Sequence, residues 1–430
     1  MKLYLVRIIL IIWILFFGGF LYTYFLTGIS FHMTSLESSC HDILYKNFSY
    51  IDEHVYILYD SESPLADILT SAFMHIAPEN SQIREFKNPP QPLYRGGLIN
   101  PDNPHIKEQN RLVTSHNILE NQKVWLDHHL DPALQSAETL DPQIDEIKDA
   151  LTSLPSWSIV VLIQSTNFRL STFRIRLELF HLGIHVLEFN HLAYIPESEF
   201  DTFQNSLIYR TDEYVRMEGI LRGKIEKNNA LYLQDDISSY HYGMVRIGSI
   251  DWSYLTFWPL ESIRWNTWDY SSVSNKWGTF PIGEVFTESI DLSSVHGRCF
   301  IEAFPNEDFS VCHCDPFELV IKHGRVLPSP HFPPAFQKLY EYMIAFEWEV
   351  IVRELGMGIN PAITTSTPLS DINFYERKTW VHLSLGKKHG IYGKKLPKTE
   401  VQRFHIDVFV ALEWVWIGEE RVYEDGEWII

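Results

Sequence analysis

His405 and Asp407 stand two residues apart in the apolar run Arg403-Phe404-His405-Ile406-Asp407-Val408-Phe409-Val410. Successive side chains of a strand alternate between faces, so this spacing puts both on one face. A neutral imidazole beside a carboxylate is the beginning of a divalent-metal site, and equally of a His–Asp hydrogen bond inside a structural strand. Acids and histidines upstream add weight to the first reading. Glu284 follows Pro281-Ile282-Gly283, Glu354 precedes Gly356-Met357-Gly358, and Glu376 precedes Arg377. His382 alternates with Ser384 in Val381-His382-Leu383-Ser384-Leu385-Gly386, and His389 and Tyr392 follow Lys387-Lys388. Such a set of carboxylates and imidazoles suits one or two borderline metals: zinc, cobalt, manganese or iron. Two such ions bridged by a carboxylate would activate a water and polarise a carbonyl.

Each residue also has a plainer reading. Glu284 could answer a lysine at a strand edge, and Glu376 could form a surface ion pair with Arg377. Glu354, placed at the end of a predicted helix, would sit badly against the helix dipole, which hints at another duty. His382 could be a satisfied core histidine, and Lys387, Lys388 and His389 a solvated loop. Whether these segments meet is a question of tertiary structure.

The elements that must position them fall into two halves. Val55–Asp60 reads as a strand, followed by Ser63 as N-cap, Pro64 at the first helical position, and Leu65, Ile68, Leu69, Ala72 and Phe73 at helical spacing. A strand over 158–163, a helix over Leu170–Leu182 stopped by Gly183, and a strand over 184–188 make a right-handed βαβ unit. Residues 33–215 are therefore an open, Rossmann-like α/β domain. It lacks the G-x-G-x-x-G of a dinucleotide site. The Pro- and Asn-rich stretch Asn88–Leu140 reads as loops with short helices. Residues 216–430 form a C-terminal α+β domain. Strands predominate over 230–325; a long helix over Pro334–Leu355, ended by Gly356 and Gly358, precedes further strands near Trp380–Leu385, His405–Trp416 and Arg421–Tyr423.

The chain's formal net charge of -20 argues against a nucleic-acid surface, which needs a basic stripe. Its 4 cysteines suggest no disulfide framework. Cys312-His313-Cys314 reads as a strand segment, because zinc clips favour C-x-x-C with a second pair elsewhere. From Leu3 to Gly28 the only charge is Arg7, a run long enough to cross a bilayer. Residues 1–32 are thus expected to be a single-pass membrane anchor, with Lys2 and Arg7 keeping the front end inside and the body facing outward. Translation from Met33 would instead give a cytoplasmic protein.

In that order, Gly283-Glu284-Val285-Phe286-Thr287, Leu355-Gly356-Met357-Gly358-Ile359-Asn360-Pro361, Val381–Gly386 and His405-Ile406-Asp407 resemble the aminopeptidase T family of metallopeptidases. The likeness runs from about Val55 to Trp428. It extends to the 2,5-dihydroxypyridine dioxygenases, which share the fold and use a single iron. The resemblance implies an α/β protein whose C-terminal domain holds two divalent metals on Glu284, Glu354, His382, His405 and Asp407, with Glu376 as a sixth ligand. It implies a homodimeric hydrolase that releases N-terminal residues from peptides by metal-activated water, with Glu354 or a nearby acid shuttling the proton. In place of the tyrosine that assists the family's reaction centre, this chain has His389, with Tyr392 three residues on. The alternatives are a mononuclear non-haem iron ring-cleaving dioxygenase, built on one histidine and the His405/Asp407 pair, and a catalytically degenerate protein that binds a peptide or small molecule.

Overall fold

The computed structural model describes residues 34–46, 48, 55–86, 149–151, 153–165, 183–230, 245–248, 254–257, 264–266, 277–289, 292–306, 310–386 and 405–430. The apolar run of residues 3–28, the segment Asn88–Leu140, the predicted helix Leu170–Leu182, His389 and Tyr392 lie outside these. Among the described residues no helix is long and apolar enough to cross a membrane.

Two sheets organise the chain, as expected of an α/β protein. The first is parallel, with strands β1 (Val55–Tyr59), β2 (Gln82–Glu85), β3 (Ile159–Ile163), β4 (His185–Phe189) and β5 (Trp277–Thr279) in the order β2-β1-β3-β4-β5. β3 and β4 are buried along their whole length, as parallel strands covered on both faces are; β3 is continuously apolar, and β4 also buries His185 and Glu188. Gly183, the predicted stop before β4, takes φ 76°, the left-handed value that favours glycine. The helix Pro64–Ile76 packs on this sheet, and its predicted start holds: Ser63 accepts a hydrogen bond from the Ala66 amide at 3.2 Å. Leu65, Leu69 and Phe73 are buried, and Phe73 meets Phe189 edge-on at 5.3 Å.

Among the described residues the second sheet has 13 strands, all their pairings antiparallel. Its centre is β6 (Glu284–Thr287), β7 (His296–Pro305), β8 (Val352–Gly358), β9 (Val381–Gly386) and β10 (His405–Ala411), in the order β7-β10-β9-β8-β6. Cys312 and Cys314 lie in the strand Val311–Lys322, as predicted. Only four residues separate β5, the edge of the parallel sheet, from β6 in the antiparallel one, so one short segment stitches the sheets together. The parallel sheet thus takes its edge strand from beyond the division expected between residues 215 and 216, which itself lies within the helix Thr211–Ala230.

One predicted element differs. The helix beginning at Pro334 stops at Glu347, and residues 352–358 are strand β8, not the end of a helix. Trp348 takes φ 71° and breaks the helical path, and Val350-Ile351-Val352 are β-branched residues that suit a pleated sheet. Glu354 is consequently a strand residue, and the helix-dipole reading of it falls away.

Candidate metal centre

Register places the predicted residues on one face. Across the sheet Asp407 pairs with Ser384, which pairs with Glu354; one row over, His382 pairs with Gly356; beyond it Gly358 pairs with Glu284. Cross-strand partners share a face, so Asp407, Glu354, His382 and Glu284 all project to the same side. All are buried.

The glycines of Gly356-Met357-Gly358 make room on that face. A Cβ on Gly356 would lie 2.0 Å from Nε2 of His382, so the imidazole rests directly on the glycine backbone. A Cβ on Gly358 would lie 1.8 Å from the Lys378 carbonyl oxygen and 2.7 Å from that of Glu376. The segment Glu376–Lys378 therefore crosses over β8 at the second glycine. It follows the short helix Ile372–Tyr375, which Asp371 caps by accepting a hydrogen bond from the Asn373 amide at 3.0 Å. It is pinned by the Asn360 amide, which donates to the Arg377 carbonyl at 3.0 Å.

Glu284, Glu354 and His382 offer ligand atoms within 4.8 Å of one another, and so do Glu376, His382 and Asp407. His382 is common to both groups. Its Nε2 lies 3.3 Å from Oε1 of Glu284, yet it is buried and has no hydrogen bond. A buried imidazole nitrogen facing carboxylates without a satisfied hydrogen bond is what a metal ligand looks like before its ion arrives. Ser384 donates to Oδ1 of Asp407 at 2.5 Å, orienting that carboxylate.

The acids differ in their hold on protons. Burial pushes Glu284 upward, but the Arg377 guanidinium and His382 outweigh it and leave it below the usual carboxylate range. Glu354 is held well above that range by burial, then by Glu284, Asp407 and Glu288, with Arg377 opposing. Two neighbouring carboxylates driven apart in this way are suited to different tasks, one as a charged ligand and one as a proton carrier.

The structure thus gathers Glu284, Glu354, Glu376, His382 and Asp407. Register puts His405 opposite Gly386 at the start of β10; its side chain lies outside the described residues, as do His389 and Tyr392. The Glu376–Arg377 ion pair forms, but at the heart of the site, with Arg377 buried, where the sequence suggested a surface pair. Arg377 and the supporting role of Ser384 were missed; only alternation with His382 marked Ser384, and nothing in local spacing marked Arg377.

Beside the site, Lys378 is buried, its Nζ 3.0 Å from the Tyr375 hydroxyl and 4.0 Å from the centre of the Trp380 ring. Desolvation lowers its pKa to about 8 against the pull of Glu302. The unfolded chain, with an ordinary lysine near pKa ~10.4, binds more protons than the folded one between these values. Stability should therefore rise with pH across that window, by at most about 1.4 kcal/mol per pH unit. Lys378→Met is expected to be more stable than the parent at pH 7 and to lose this rise, as urea denaturation at pH 7, 8, 9 and 10 would show. A parallel pH dependence in both proteins would refute it.

No protein-family profile matches the chain, and no curated protein matches it. Among solved structures it is similar to wild-type AmpT from Thermus thermophilus, an aminopeptidase T, with TM-score 0.54 and 11% identity over 92% of this chain and 99% of that chain. At this identity the likeness speaks for the fold: the chain has the aminopeptidase T-like fold that its ordered motifs suggested.

Proposed function

We propose that the chain is a divalent-metal-dependent, peptidase-like hydrolase that releases N-terminal residues from peptides. The observation that carries this reading is His382, buried, its Nε2 without a hydrogen bond, and shared by two groups of acids, in a fold similar to that of an aminopeptidase T. The donors are carboxylate oxygens and imidazole nitrogens, which fit zinc, cobalt, manganese or iron. Glu284, Glu354, Glu376, His382 and Asp407 would hold the metal, with His405 completing the set. Bound there, a divalent cation supplies an activated water and a polarised scissile carbonyl.

The remaining work falls to the protein. Glu354, favoured in its ionised form by a divalent cation bound beside it, would accept a proton from the attacking water; its buried, acid-rich surroundings favour the protonated form so produced, from which the proton would pass to the departing amine. Ser384 keeps Asp407 in one orientation, and the backbone over Gly358 keeps Glu376 against the sheet. Acidic side chains at the site also favour a substrate that brings a free, positively charged α-amine.

The test is the full chain purified without chelator, assayed for metal content and against matched peptides with free and acetylated N-termini. Bound divalent metal, cleavage of free peptides alone, and loss of cleavage on chelation are expected. Equal cleavage of free and acetylated peptides would overturn the N-terminal specificity. A folded chain that takes up no zinc, cobalt, manganese or iron would overturn the metal-dependent reading.

A further inference from the structure

The site contains a cation of its own. Arg377 is buried, with an exposure of 6%, and its Nη1 lies 3.3 Å from Oε2 of Glu284 and in contact with Glu376. Those two acids belong to different groups of candidate ligands, one grouped with Glu354 and the other with Asp407. The guanidinium therefore bridges the two halves of the centre. It keeps its charge at any physiological pH.

Nor does the side chain have an easy way out. Its backbone is held on both sides, the carbonyl accepting from the Asn360 amide at 3.0 Å and the amide donating to the Phe374 carbonyl at 3.1 Å. Nη1 also reaches the Asn373 carbonyl at 3.3 Å, and the residue sits over Gly358, where a Cβ would be 2.7 Å from the Arg377 carbonyl carbon. Nε is buried without a hydrogen-bond partner, so Arg377 is placed for the sake of its contacts with the acids rather than by full satisfaction of its own donors.

We infer that Arg377 is a tethered counter-cation that occupies the place of a second metal ion, so that this site holds one divalent ion per chain. The guanidinium takes up one oxygen of Glu284 and one of Glu376 and adds a fixed positive charge between the two groups, so a second dication would be confined against like charge and repelled. The same contact holds the acids together before metal arrives, because removing one partner leaves the others buried and uncompensated. Arg377 is on this reading a positioning residue. The inference rests on the metal-dependent reading of the site but makes a separate claim about stoichiometry.

The test is the number of ions bound by the full-length metal-free chain, titrated with Zn2+ or Mn2+ alone and followed by calorimetry, with elemental analysis after dialysis. Arg377→Met and Arg377→Lys are measured beside the parent. One ion is expected in the parent and in Arg377→Lys, which keeps a positive charge. Two ions are expected in Arg377→Met, with a metal-free melting temperature several degrees below the parent's and a larger gain on adding metal. Two ions in the parent would overturn the inference while leaving the metal-dependent function standing. One ion in a folded Arg377→Met would overturn it too. No ion in any of the proteins would overturn both readings. If Arg377→Met does not fold, the parent and Arg377→Lys still decide, since two ions in either is incompatible with a tethered counter-cation.

Discussion

Replacing His382 by alanine is expected to weaken divalent-metal binding by more than about 100-fold, beyond the loss typical of residues that only orient a ligand. His382 is the one residue common to both candidate ligand groups, so its removal depletes both at once. Activity should fall with the metal. The fold should survive, because neighbouring β-sheet pairings are made by backbone atoms that the substitution leaves in place. Isothermal titration with Zn2+ and circular dichroism of the same preparation check both halves of the expectation. A variant that still binds Zn2+ as tightly as the parent would remove His382 from the ligand set. Asp407→Asn serves as a companion, because it keeps the shape of the side chain, and with it the contact with Ser384, while deleting the charge.

Gly356→Ala is expected to be nearly as damaging, although the added methyl group carries no chemistry. The new Cβ would lie 2.0 Å from Nε2 and 2.1 Å from Cε1 of His382. Carbon atoms do not approach rings this closely, so the imidazole must move or β8 and β9 must part. The ring is boxed in on its other side by Phe409, with centroids 5.7 Å apart. Overpacking of this kind costs about 1–3 kcal/mol in a well-packed interior. A displaced His382 should also lose metal affinity, since coordination tolerates little change in position. Thermal unfolding and Zn2+ titration of Gly356→Ala would report the two effects together. A variant with the parent's melting temperature and affinity would mean that the ring has more freedom than its packing indicates.

Much of the scaffold was legible because it is written in local signals. The Ser63 cap, Pro64 at the first turn and the apolar runs of β1 and β3 act over a few residues, and they formed as expected. The end of the helix that starts at Pro334 was misjudged because glycines at 356 and 358 look like helix stops. Their actual duty is to admit the His382 ring and the Lys378 carbonyl, two partners that are remote in sequence. His389 and Tyr392 lie outside the described residues, so the departure from the family's tyrosine stands as an expectation.

By itself, the sequence determined which chemistry was available: carboxylates and imidazoles at strand-like spacing, in an order similar to that of the aminopeptidase T family. Alternation along β9 and β10 was enough to say which side chains share a strand face. Only the tertiary structure decided which of those faces coincide, because strand register is set by pairings between segments far apart in the chain. It alone brought Glu284 to Gly358 and Asp407 to Ser384, and turned Glu354 from a predicted helix end into a buried strand acid. It alone revealed Arg377 among those acids, since a guanidinium next to a glutamate in sequence is ordinarily a solvated pair, and burial is a property of the folded chain.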